Sequence, residues 1–166
     1  MFDKFGEFDS WEELNKAAAG LKEEGDKESL IELAKENGIH EDEAEYYFTG
    51  ETDELCDYVM ASIGKLNIET ADLKPKDIME DWTEYIRTLC VTDETICLGV
   101  RKKGKSLKGC IGELLKWSFG HQQQIDKDIV KAAGVNANRV TLGIPGIRTA
   151  HKIIKEYYGG RHERDS

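Results

Sequence analysis

A chain of 166 residues, 39% apolar and 34% charged, is long enough for one ordinary core or two small helical subdomains. Its apolar residues recur too regularly for a disordered segment. No stretch approaches the roughly 20 apolar residues that span a bilayer, and Met1-Phe-Asp-Lys4 leads into no apolar signal region, so a cytoplasmic protein with no membrane contact is expected. The net charge of −10 divides unevenly: residues 1–73 carry 6 Lys and Arg against 21 Asp and Glu, a balance of −15, and residues 74–166 carry 17 against 12, a balance of +5.

Only two prolines, Pro75 and Pro145, interrupt apolar spacings of three and four, which predicts an all-α fold of eight to nine helices. The first opens at Ser10, with Glu13 completing a capping box, and puts Trp11, Leu14, Ala17, Ala18 and Leu21 on one face before Gly25 ends it. Asp26 opens the second, whose Leu30, Ile31, Leu33 and Ala34 precede the stop signal Asn37-Gly38. Two short helices follow, over 41–48 and 52–63. Residues 64–74 lose the period and change the sign of the charge, which places a boundary between an acidic helical domain, 1–66, and a basic one, 74–158.

In the basic part, Pro75 fits a first helical turn. A helix over 75–90 stripes Ile78, Met79, Trp82, Tyr85, Ile86 and Leu89 as a core face, and a short helix covers 93–101. Ser106 caps another, with Leu107, Cys110, Ile111, Leu114, Leu115 and Phe119 inward. A short helix over 126–133 closes at Gly134. The last helix, 146–158, carries Ile147, Ala150, Ile153, Ile154 and Tyr157. One short extended segment fits near 139–144, and 159–166 reads as a disordered tail. Trp82 and Trp117 read as core in preference to interface anchors.

The charge asymmetry points to nucleic acid or to a partner that handles it. Either the basic half touches phosphate or the acidic half imitates it. Arg101, Lys102, Lys103, Lys105 and Lys108 cluster beside a helix N-terminus, whose free N–H groups favour anions. The segment from Gly143 to Ile154 partly resembles a helix-hairpin-helix, in which a Pro-Gly turn offers backbone N–H groups to DNA phosphate; Gly146, Arg148 and Lys152 are its candidate contacts. Arg148, however, stands where the second glycine belongs. On the acidic side, Glu41, Asp42, Glu43, Glu45, Glu51, Asp53, Glu54 and Asp57 form a candidate partner surface able to occupy a DNA-binding groove. Solvated helix faces are the plain alternative in both cases.

No catalytic residue, metal site or cofactor is expected. Cys56, Cys90, Cys97 and Cys110 form no C-x-x-C pair and read as reduced, buried apolar residues. His40, His121, His151 and His162 are scattered singly, the acids do not match a calcium loop, and phosphate-loop and nucleophile-elbow motifs are missing. An enzyme is the least supported class.

Trp82-Thr-Glu-Tyr-Ile86, Asp93-Glu94, Lys105-Ser-Leu-Lys-Gly-Cys110 and Ile153-Ile-Lys-Glu-Tyr-Tyr158 together resemble the PcfK-like family of mobile-element proteins over the second half of the chain. One branch of that family is similar to inhibitors of the RNA-guided DNA nuclease of type II CRISPR systems. The resemblance implies an anti-defence or transfer function without catalytic residues, and a bacterial nuclease effector or its nucleoprotein complex as partner. The alternative is a DNA-binding accessory protein of conjugation or replication, contacting DNA through the basic half.

Overall fold

A computed structural model describes residues 1–160; of the tail expected over 159–166, Gly159 instead ends the last helix, and 161–166, with His162, lie outside the described residues. Among the described residues the chain is all-α, with nine helices and one two-stranded sheet. The helices are α1 (Trp11–Glu23), α2 (Lys27–Glu36), α3 (Glu41–Thr49), α4 (Tyr58–Leu73), α5 (Ile78–Thr92), α6 (Glu94–Arg101), α7 (Leu107–Gly120), α8 (Lys127–Ala132) and α9 (Ile147–Gly159). Strands β1 (Gln123–Gln124) and β2 (Thr141–Leu142) pair antiparallel, Gln123 opposite Leu142. No helix among the described residues is long and apolar enough to cross a membrane.

Sequence signals place the first helices well. Ser10 and Asp26 accept from the backbone N–H groups of Glu13 and Ser29, and Asn37-Gly38 ends α2 with Gly38 left-handed at φ 69°. Their apolar faces meet in a first core built on Leu14, Ala18, Leu30, Leu33, Ala44, Tyr47, Leu55 and Ala61. A second core gathers Leu66, Trp82, Ile86, Cys90, Ile96, Val100, Leu107, Leu114, Ala150, Ile154 and Tyr158, with α6 packed against α4, α5 and α9.

Three segments depart from the sequence reading. The helix expected over 52–63 starts only at Tyr58, because Asn15 holds residues 55–56 in a non-helical turn: its Oδ1 accepts from the N–H of Leu55 (3.0 Å) and of Cys56 (3.2 Å), and its Nδ2 donates to the Cys56 carbonyl (2.8 Å). Residues 64–73, expected to be an aperiodic boundary, continue α4 through both cores. The helical period is hidden there because α4 is buried on more than one side, and its buried set includes Ser62, Gly64, Lys65 and Glu69 as well as apolar residues. Finally, α5 begins at Ile78 instead of Pro75. Lys74 (φ 49°) ends α4 in the left-handed region and Asp77 (φ 55°) turns the chain into α5, an unfavourable conformation for a residue with a Cβ.

The two cores meet at a close backbone crossing. A Cβ at Gly38 would overlap the Gly64 carbonyl, and one at Gly64 would overlap the Asn37 carbonyl. Around this crossing lie buried charges. Lys65, 1% exposed, donates to Glu7 (2.8 Å) and to the carbonyls of Lys102 (2.9 Å) and Lys105 (2.7 Å). Arg101, also 1% exposed, donates to Asn37 Oδ1 (2.8 Å), while its guanidinium lies 5.5 Å from the Phe2 ring centroid. Residues 1–9 therefore strap the junction, and Asp9 adds an acceptor for the Lys103 N–H (3.0 Å).

Candidate functional site

The candidate acidic residues follow one another from α3 to the start of α4. Ala44 and Tyr47 anchor α3 in the first core, and this leaves Glu41, Asp42 and Glu45 exposed and Glu43 half-buried. Gly50, left-handed at φ 86°, ends the helix; beyond it the inward pull on Leu55 and Cys56 leaves Glu51, Asp53 and Glu54 outside. Asp57 is exposed but committed, accepting from the Met60 N–H (2.8 Å) as the α4 cap. Within the described residues, ion pairs reach Glu41 (Lys35, 2.7 Å) and Glu45 (Lys27, 3.4 Å), and Asp42 faces His40. The Lys35 hydrogen bond holds the Glu41 carboxyl below its ordinary range. Exposed Tyr46 stands among these carboxylates.

The basic cluster is altered by the fold. Arg101 is not available to phosphate: the last turn of α6 points it into the junction, where burial pulls its affinity for the proton down. Lys102, Lys103 and Lys108 are exposed; Lys105 is half-buried, its ammonium 4.7 Å from the Tyr157 ring centroid. The N-terminus of α7, expected to offer free N–H groups to an anion, is largely occupied by internal acceptors. Glu69 Oε2 accepts from Leu107 N (2.6 Å), Ser106 Oγ from Gly109 N (3.0 Å), and the Tyr157 hydroxyl from Ser106 N (3.0 Å).

At the Pro-Gly turn Pro145 is buried and Gly146 caps α9 without a side-chain acceptor. Arg148 and Lys152 are exposed at i, i+4 on one helix face. Nine residues separate Arg148 from Tyr157, which touches Lys105, so the two candidate phosphate-binding groups stand about 14 Å apart along α9. They do not form one compact site.

Two features escaped the sequence reading. Leu115, Phe119 (78% exposed), Ile78 and Met79, all expected on core faces, are exposed, as are Ile147, Leu142 and Ile144. Leu115, Phe119, Ile78, Leu142 and Ile144 line an open groove of about 320 Å³ floored by Trp82. The spacing within one helix does not reveal whether a neighbour covers its last turn, and nothing in α7 says that its last turn outruns its neighbours. The second feature is a groove between α7 and α9 in which Trp117, expected in the core, is half-buried.

The cysteines are free and buried, and burial pushes the thiols of Cys56 and Cys110 up to about 12. They remain protonated and poorly nucleophilic at neutral pH. Among the described residues no group of three or more His, Cys, Asp and Glu side chains is placed to hold a metal ion. No protein-family model, curated protein or solved structure matches this chain.

Proposed function

We propose that this chain is a non-catalytic inhibitor made by a mobile element, phage or conjugative, and that it binds a nucleic-acid-targeting effector in the bacterial cytoplasm, specifically the RNA-guided DNA nuclease of type II CRISPR. The carrying observation is the run of outward-facing carboxylates from Glu41 to Asp57, held on a buried framework and only partly offset by Lys27 and Lys35. Such a surface competes with a duplex for a positively charged groove and accelerates encounter with it. The resemblance of the second half to the PcfK-like family supports the same reading.

The test is a DNA-cleavage titration of guide-loaded type II nucleases from several bacteria, with the protein added before or after target DNA. Inhibition at near-stoichiometric amounts, lost once DNA is loaded, is the expected result. Neutralising Glu41, Asp42, Glu43 and Glu45 to their amides should raise the inhibitory concentration about tenfold or more and flatten its dependence on salt. Full inhibition by that variant would exclude mimicry by α3. No inhibition across the panel would leave the second reading, a DNA-binding accessory protein of conjugation or replication, which rests on exposed Lys102, Lys103 and Lys108.

A further inference from the structure

The groove between α7 and α9 has a volume of about 630 Å³. On the α7 wall, Trp117 and His121 lie ring on ring, their centroids 4.2 Å apart and their planes within 4°. The Trp117 carbonyl lies 2.8 Å from His121 Nδ1. A carbonyl only accepts, so Nδ1 carries the hydrogen and the imidazole is fixed over the indole. On the α9 wall, Tyr157 is held through its hydroxyl by Ser106 N–H. The outer partner of the stack, His121, is exposed and Trp117 is half-buried.

The charges of this groove are arranged in two sets. Lys105 and Lys116 line it. Glu113 and Glu156 line it as well. A phosphate is attracted by the first set and repelled by the second. A nucleobase, in contrast, gains from a flat aromatic face and from carboxylates that accept its N–H groups.

We infer that the α7–α9 groove is a binding site for single-stranded nucleic acid, with a base stacked at the Trp117–His121 platform, its N–H edge towards Glu113 and Glu156, and its phosphates on Lys105 and Lys116. A duplex does not fit this use, because its bases are already stacked on one another. The site stands independently of the inhibitor reading, which rests on the opposite charge and on other residues.

The test is titration of the full chain with labelled single-stranded oligonucleotides of about twelve nucleotides, a d(GA) repeat and oligo(dT), and with a duplex of the same length. Anisotropy and tryptophan emission are followed together. The expected result is saturable binding with quenched emission, d(GA) ahead of oligo(dT), which lacks exocyclic amino groups, and the duplex weakest. Two phosphate contacts predict a slope of about −1.4 in log K against log salt. Trp117→Leu should weaken binding about tenfold or more. As Trp117 is half-buried, His121→Ala, at an exposed position, provides a second reading and should also weaken it. Lys105→Gln with Lys116→Gln should reduce the salt slope. No binding at low salt, binding unchanged in His121→Ala, or equal binding of the duplex would overturn the assignment.

Discussion

The junction between the two cores and the arm formed by residues 121–146 spend their residues in opposite ways. The junction buries two full cations, crosses two backbones at glycines and is closed by residues 1–9. The arm holds one short helix without a buried residue, a two-residue ladder, and Ile129 at 62% exposure. Charge is thus buried at the junction while apolar side chains stand exposed in the arm, the reverse of a composition-based expectation. At the junction Lys65 is fixed by three acceptors and Arg101 by Asn37 and the Phe2 ring, whereas the helix of the arm has no buried residue to hold it.

Substitutions should separate the two regions by size of effect. Gly64→Ala forces a Cβ onto the Asn37 carbonyl and should cost about 3 kcal/mol in denaturant unfolding; a loss below about 1 kcal/mol would show that the crossing yields easily. Arg101→Ala should cost about 2 kcal/mol, since it leaves Asn37 Oδ1 without its donor and empties packed volume. Because Arg101 is buried, the same change should leave any DNA affinity unaltered.

A smaller effect is expected at Glu69, whose carboxyl is raised above its ordinary 4.5 by burial, against the hydrogen bond from Leu107 and the Lys65 charge. Between 4.5 and the raised value the folded chain keeps a proton that the unfolded chain releases, so this stabilising contribution is present below 4.5 and is lost as pH rises through the folded pKa. Glu69→Gln should therefore gain stability relative to the parent at pH 7 and lose that advantage by pH 4. An advantage independent of pH would contradict the account. At the other extreme, Ile129→Asp in the arm should change stability by less than about 0.5 kcal/mol, and a larger loss would mean that the arm packs on more than its own hairpin.

The same contrast explains what the sequence reveals. Ser10, Asp26, Ser106 and Asn37-Gly38 act locally, through hydrogen bonds within a few residues, so their helices are readable from the chain. The course of α4 is not, because Lys65 and Glu69 are buried by partners far away in sequence and carry no apolar signal. Arg101 is unreadable for the same reason: in a run of basic residues it looks like its neighbours, and only the position of Asn37 decides that it turns inward. The acidic candidates are readable because an α3 face anchored by Ala44 and Tyr47 leaves its acids outward by helical spacing alone. The Trp117–His121 stack has a visible i, i+4 spacing, but its exposure depends on how α9 crosses α7.

The passage of α4 through both cores bears on how the molecule opens in time. Ala61 belongs to the first core and Leu66 to the second, less than two turns apart on one unbroken helix. Neither core can come apart without fraying the helix the other relies on, so subglobal opening of one half is suppressed. Amide hydrogens of α4 near Gly64 should accordingly exchange with deuterium only through global unfolding, last among the described helices, while those of α8 exchange first among them.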